Sequence, residues 1–163
     1  MSELAFRNRQ RTRRVNLRLL REITRALLDE LAGVKDYELC VHLIGAKEMA
    51  RVNWNFLKHE GSTDVITFDH AVHATRNTQH VPLLHGEIFI CLDDAVAQAR
   101  QFRTTWQAEL VRYLVHGVLH LLGHDDLDPA AHRKMKREEN RLVRELSARF
   151  ALSKLNRAPK LRA

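Results

Sequence analysis

The spacing of apolar residues changes several times along this chain, and each change marks an element. Leu4 to Asn8 is predicted to be a short first strand. Val15, Leu19, Ile23, Leu27 and Leu31 recur every four residues, with Leu20 and Leu28 widening the stripe. That period predicts a helix over residues 13–31, stopped by Gly33. Tyr37, Leu39, Val41 and Leu43 alternate, which predicts a strand over 37–44 broken by Gly45. Apolar residues at 49, 52, 56 and 57 predict a short amphipathic helix over 47–57, followed by a loop at residues 58–62. Residues 63–68 are β-branched and residues 86–92 are almost wholly apolar, so both read as strands, the second of them central. The stretch from His70 to His85 has no period and is expected to be an exposed loop. Asp93 is predicted to cap a helix over 94–102. Thr104, with Gln107 three residues on, makes a capping box for the next one. Its apolar positions (Trp106, Leu110, Val111, Leu114, Val115, Val118, Leu119 and Leu122) thicken towards the end, so it is expected to be buried. Gly123 can end it by taking a positive φ. Asp128, with Pro129 at the first helical position, opens a last helix whose buried side is Met135, Leu142, Val143, Leu146 and Phe150. Residues 153–163 read as a frayed basic tail.

The predicted order is β-α-β-α-β-β-α-α-α. Without strict βαβ alternation, this indicates an α+β fold: one small mixed sheet of about four strands packed with five to six helices. No repeat and no linker divides the 163 residues, so a single domain over 1–163 is expected. No apolar run approaches the ~20 residues of a membrane span. The arginine-rich N-terminus has no apolar core of a secretory signal. Cys40 and Cys91 each lie in an apolar, strand-like run and are expected to be buried free thiols. These features point to a cytoplasmic protein. The net charge of +7 is unevenly spread. Residues 1–25 hold eight basic and two acidic side chains, residues 133–163 eleven and three, and the middle eight and fifteen. Two basic ends therefore flank an acidic centre, a pattern suited to a phosphate-binding surface leading to a cation site.

The acidic centre contains His116-Gly-Val-Leu-His120-Leu-Leu-Gly123-His124-Asp125-Asp126. Histidines at i and i+4 share one helix face about a turn apart, which suits the ~2.0–2.1 Å Zn–N bonds of a shared metal ion. The turn at Gly123 can return a third ligand to that face, leaving a fourth position open, as in catalytic zinc sites. Gly117 stands where a metalloprotease pattern would carry its glutamate base, which argues against peptide hydrolysis by that route.

Three segments together resemble the YbeY family of metal-dependent endoribonucleases, over roughly residues 37–146. They are His116-Gly-x-Leu-His120-Leu-x-Gly123-x-Asp125, the strand Thr63-Asp64-Val65-Ile-Thr-Phe68, and Gly86-Glu87-Ile88-Phe-Ile90 with its following helix through Gln98-Ala99. The family usually has His at the position of Asp126, Tyr at that of His124, and often an arginine at that of Leu57. The resemblance implies a zinc site, one ion per chain, of His116, His120 and Asp126, since a carboxylate is a normal zinc ligand. His124 and His132 are the alternatives for the third place. It also implies cleavage of single-stranded RNA, maturation of the 3′ end of small-subunit (16S) ribosomal RNA, ribosome quality control and association with the small ribosomal subunit. Zinc would acidify a bound water towards ~7 and polarise a phosphoryl oxygen. Lys58 is a candidate for a catalytic role, and Arg51, Lys58 and His59 for contacts to RNA near the cleavage site. Asp64 and Glu87 sit at strands and fit hydrogen-bonding roles equally well. Two other readings stand beside this one: a metal-dependent hydrolase of a peptide or ester, and a non-catalytic ribosome-associated assembly factor.

Asp126→Ala is expected to lower zinc affinity far more than His132→Ala. Equal zinc retention by the two variants, measured by metal analysis after dialysis, would remove Asp126 from the site.

Overall fold

In this computed structural model the described residues are 2–71 and 84–158. Four strands, β1 (Ser2–Asn8), β2 (Tyr37–Ile44), β3 (Val65–Asp69) and β4 (Leu84–Cys91), form one mixed sheet in the order β1-β2-β4-β3. β1, β2 and β4 run parallel, and β3 pairs antiparallel with β4 as an edge strand. Among the described residues five α-helices accompany the sheet: α1 (Leu17–Arg25), α2 (Ala46–Val52), α3 (Leu92–Phe102), α4 (Trp106–Leu121) and α5 (Pro129–Arg149). This is the α+β architecture predicted from the order of elements.

Side chains alternate across the sheet. On one face Leu4, Leu39, Val41, Leu43, Leu84, Ile88 and Ile90 pack with α1, α4 and α5 into the main core. On the other, Ile44, Ile66 and Cys91 pack beneath Met49 of α2 in a smaller cluster. Helix α4 lies tight on the sheet because Gly117 carries no side chain. A Cβ there would stand 2.8 Å from Cγ2 of Ile88. The residue that departs from the protease pattern thus has a packing reason: any side chain there must displace Ile88.

Several boundaries differ from the sequence reading. α1 starts at Leu17, not 13, because the Asn16 side chain accepts the Leu19 N–H while Gln10 accepts that of Arg13. It ends in a π-helical turn over Ala26–Leu31, and α2 likewise runs into one over Asn53–Leu57. The cap of α4 is Thr105, whose hydroxyl accepts the Ala108 N–H. Thr104 instead donates its hydroxyl to Glu109 at 2.6 Å. Asp93 does not cap its own helix, which begins at Leu92. It reaches across to accept the Ala46 N–H at 2.6 Å and the Thr12 hydroxyl at 2.6 Å. These are long-range partners that local spacing does not show. The basic tail is not frayed throughout: Leu155 is fully buried, Asn156 bridges to Val15, and Arg157 donates its N–H to the Arg14 carbonyl. Most of the expected 70–85 loop lies outside the described residues, and its end belongs to β4. Cys40 and Cys91 are free, the first half-buried and the second buried. No helix among the described residues is long and apolar enough to cross a membrane.

Gly117→Ala is expected to destabilise the fold by about 1–3 kcal/mol, the usual cost of overpacking a core. Chemical denaturation of the two proteins measures it.

Candidate metal centre

The last two turns of α4, Leu114 to Leu121, are apolar except where His116 and His120 project, and both rings are half-buried. Their Nε2 atoms lie 3.0 Å apart. The opposite ring nitrogens are fixed by groups that can only accept. His116 Nδ1 donates to Glu139 Oε1 at 2.8 Å. His120 Nδ1 donates to the backbone carbonyl of His124 at 3.1 Å, which is available because α4 ends and Gly123 turns at φ +98°. In its neutral form each imidazole therefore holds its proton on Nδ1 and turns an Nε2 lone pair towards the other. Two lone pairs at that distance repel unless a proton or a metal ion lies between them. Two nitrogens bound tetrahedrally at ~2.0–2.1 Å would stand ~3.3 Å apart, close to what is seen. The donor set fits a metal ion.

Glu139 is the residue that sequence reasoning missed. Its side chain is 4% exposed, and it also accepts from Arg112 at 2.7 Å and Lys136 at 3.0 Å. Burial alone would push its carboxyl up. The hydrogen bonds from His116, Lys136 and Arg112 outweigh burial and hold it down at about 2. A metal-ligating histidine commonly donates its other N–H to such a carboxylate. The signal was present in the sequence as a charged residue on the apolar stripe of α5, between Met135 and Leu142. His120 is shifted down, first by burial and then by the charge of His116, which favours its neutral form.

A carboxylate oxygen of Asp126 and the ligand nitrogens of His116 and His120 all lie within 4.8 Å of one another. Neither alternative third ligand joins this group. His124 contributes its carbonyl to His120, and His132 lies exposed on the first turn of α5, its N–H given to Asp128. The two histidines form part of the wall of an open cleft of about 280 Å³, which Val65, Ile66 and Thr67 of the edge strand, Asn53, Leu57 and His59 also line. Asn53 donates to the Gly61 carbonyl at 3.0 Å and so ties down the loop that carries His59. Lys58, in the left-handed conformation at φ +56°, points its ammonium over the Trp54 ring, 5.9 Å from its centroid. Arg51 lies elsewhere, in a separate cavity with Arg9, Arg11 and Lys47. Asp64 accepts the Val65 N–H at 2.8 Å and Glu87 accepts from two histidines on the opposite sheet face.

An α+β protein with a histidine pair on a buried helix and a carboxylate returned by the following turn is the class these observations define. A family model described as endoribonuclease YbeY matches residues 5–147. The endoribonuclease YbeY of Chlorobium phaeovibrioides is 33% identical over 129 residues, covering 79% of this chain and 81% of that protein. That of an Anaeromyxobacter species is 39% identical over 112 residues, covering 69% of this chain and 56% of its own length. The solution structure of TM1509 from Thermotoga maritima superposes with a TM-score of 0.65 at 22% identity, over the full length of both chains, and shares the fold. The chain belongs to the endoribonuclease YbeY family.

Glu139 has a folded pKa below its ordinary 4.5, so its contribution to stability is full above that value and is lost as pH falls towards 2. The wild type is expected to lose about 1.4 kcal/mol per pH unit from this group within that window. Glu139→Gln should show a correspondingly shallower acid limb in denaturation curves. It should also bind zinc roughly 10–100-fold more weakly.

Proposed function

We propose that this protein is a zinc-dependent endoribonuclease for single-stranded RNA that acts in the cytoplasm, as one domain over residues 1–163. Its setting is the 3′-end maturation of 16S ribosomal RNA and ribosome quality control at the small subunit. The facing Nε2 lone pairs of His116 and His120, with Asp126 beside them in an open cleft, carry the reading. These three residues hold one zinc ion per chain. When bound, the ion supplies Lewis acidity to water and to a phosphoryl oxygen.

The chain's own groups do the rest. Glu139 and the His124 carbonyl keep both imidazoles in the tautomer that offers Nε2. His59, on the wall of the same cleft, is placed to donate a hydrogen bond to a phosphate oxygen. Lys58 is one residue away and adds positive charge at the rim, while Leu57 gives the cleft an apolar wall instead of a cation. Arg51 acts at a distance: with Arg9, Arg11 and Lys47 it surrounds a second cavity of about 500 Å³. That position suits it to holding phosphates further along the strand without reading bases. The basic side chains of the N-terminal segment and of α5 extend the same non-specific attraction.

The test uses a single-stranded RNA matching the 3′ end of the small-subunit RNA precursor, with and without chelator, beside His120→Ala prepared identically. Wild-type cleavage that chelation abolishes and zinc restores, absent from the variant, is the expected result. Equal behaviour of the two proteins would overturn the nuclease reading. It would favour a non-catalytic ribosome-associated factor, with Leu57 as the feature behind it.

A further inference from the structure

The sheet face that carries α2 is apolar at only one end, where Ile44, Ile66 and Cys91 are covered. The other end is polar. Strand register sets Cys40 of β2 beside Glu87 of β4, and His42 follows two residues along on the same face. The sulfur of Cys40, a ring nitrogen of His42 and a carboxylate oxygen of Glu87 all lie within 4.8 Å of one another. His70, just after β3, reaches the same carboxylate. Its Nε2 is 2.9 Å from Oε2 of Glu87, while Nε2 of His42 is 2.8 Å from Oε1. The β1 partner of Cys40 is the small Ala5, and a cavity of about 290 Å³ opens over Cys40, His70 and Glu87.

We propose that Cys40, His42, Glu87 and His70 form a second metal site, for a divalent ion of the zinc class, sharing no residue with the centre on α4. One thiolate, two imidazoles and one carboxylate are a four-donor set that suits a borderline-soft ion and neither calcium nor magnesium. Three of the donors, Cys40, His42 and Glu87, are already gathered, and His70 reaches the set through the Glu87 carboxylate. His42 is 6% exposed and its ring stacks on Phe89 at 4.1 Å, with 4° between the planes, so it needs no reorientation. Glu87, by accepting from both histidines, holds their Nε2 atoms on either side of one carboxylate.

The charges balance. The Cys40 thiolate and Glu87 carboxylate together neutralise a divalent ion. Arg7 and Arg9 stand near, and Glu3, Glu38 and Glu48 stand on the same side of the sheet to offset them. Burial and the charge of Glu87 keep Cys40 a protonated thiol when no ion is bound, so binding sends one thiol proton to solvent. Binding also has a cost. Arg9 points its guanidinium at Nδ1 of His42, at 3.3 and 3.4 Å, which keeps that ring's proton on Nε2. An ion on Nε2 moves the proton to Nδ1 and displaces this contact, while Arg9 retains its pairing with Glu48 at 2.9 Å.

The test is Co²⁺ titration of the full-length, metal-stripped protein, followed by optical absorption and by counting equivalents. The proposed site has a thiolate and the α4 centre has none, so only this site produces a thiolate-to-cobalt charge-transfer band. Wild type is expected to take two equivalents and show the band, and Zn²⁺ should displace it. His120→Ala should keep the band and lose one equivalent. Cys40→Ser should lose the band and keep the other equivalent. Glu87→Gln, which preserves side-chain size, should weaken the band's titration by more than the roughly 10–100-fold that outer-shell partners carry. A wild type without the band, or a band that persists in Cys40→Ser, overturns the proposal. One equivalent abolished by His120→Ala, with no band, sinks this site and leaves the α4 centre standing; the band alone, untouched by His120→Ala, does the reverse.

Discussion

The bond from His116 Nδ1 to the buried carboxylate of Glu139 is the constraint on which the α4 centre depends. A buried carboxylate is costly unless its charge is matched, and here Arg112 and Lys136 match it from α4 and α5. Held ionised, Glu139 can only accept, so it dictates where the His116 proton sits. The His124 carbonyl does the same for His120. The tautomers are thus set by the ends and neighbours of α4, not by the histidines themselves. The same four-group cluster stitches α5 to α4, which couples the stability of the helix pair to the readiness of the site.

Close packing decides where that site opens. α4 lies against β4 at Gly117, where Ile88 fills the space a side chain would need. One strand residue before Glu87, Gly86 leaves room for Leu121 and for the Phe68 carbonyl, which a Cβ would meet at 2.8 and 2.6 Å. Two glycines on facing elements let the helix sit low beside the edge strand. The cleft then forms between the histidine face of α4, the edge strand β3 and the turn after α2. Among the described residues β3 has no strand on its outer side, which leaves its backbone groups there without a ladder partner.

The far side of the sheet divides its labour differently. α2 covers only the strand ends near Ile44 and Cys91, and Asp93 holds it there by accepting the Ala46 N–H. Beyond α2 the sheet carries Cys40, His42, Glu87 and His85, residues that a covered sheet face would not tolerate. His42 and His70 share the Glu87 carboxylate and His85 faces Glu38 at 3.6 Å, so this polar end of the face lies apart from the α4 centre.

Much of this was legible in the sequence because it depends on local period. The strand at 37–44, the buried helix ending at Gly123 and the last helix opening at Asp128-Pro129 follow from alternation, four-residue spacing and capping chemistry, all of which act within a turn or two. The pairing of His116 with His120 follows from helix geometry alone. What local spacing could not show were contacts between distant residues. Asp93 caps a helix 47 positions earlier, Leu155 is drawn into the core beside Asn16, and Glu139 comes from another helix to set a tautomer. The His42–Glu87–His70 network likewise exists only once parallel pairing brings β2 beside β4. The sequence by itself determined the elements and the helix that carries the two histidines, because those obey short-range periodicity. Only the tertiary structure decided which carboxylates reach those histidines and which strand walls the cleft, because register and packing join residues that the chain keeps far apart.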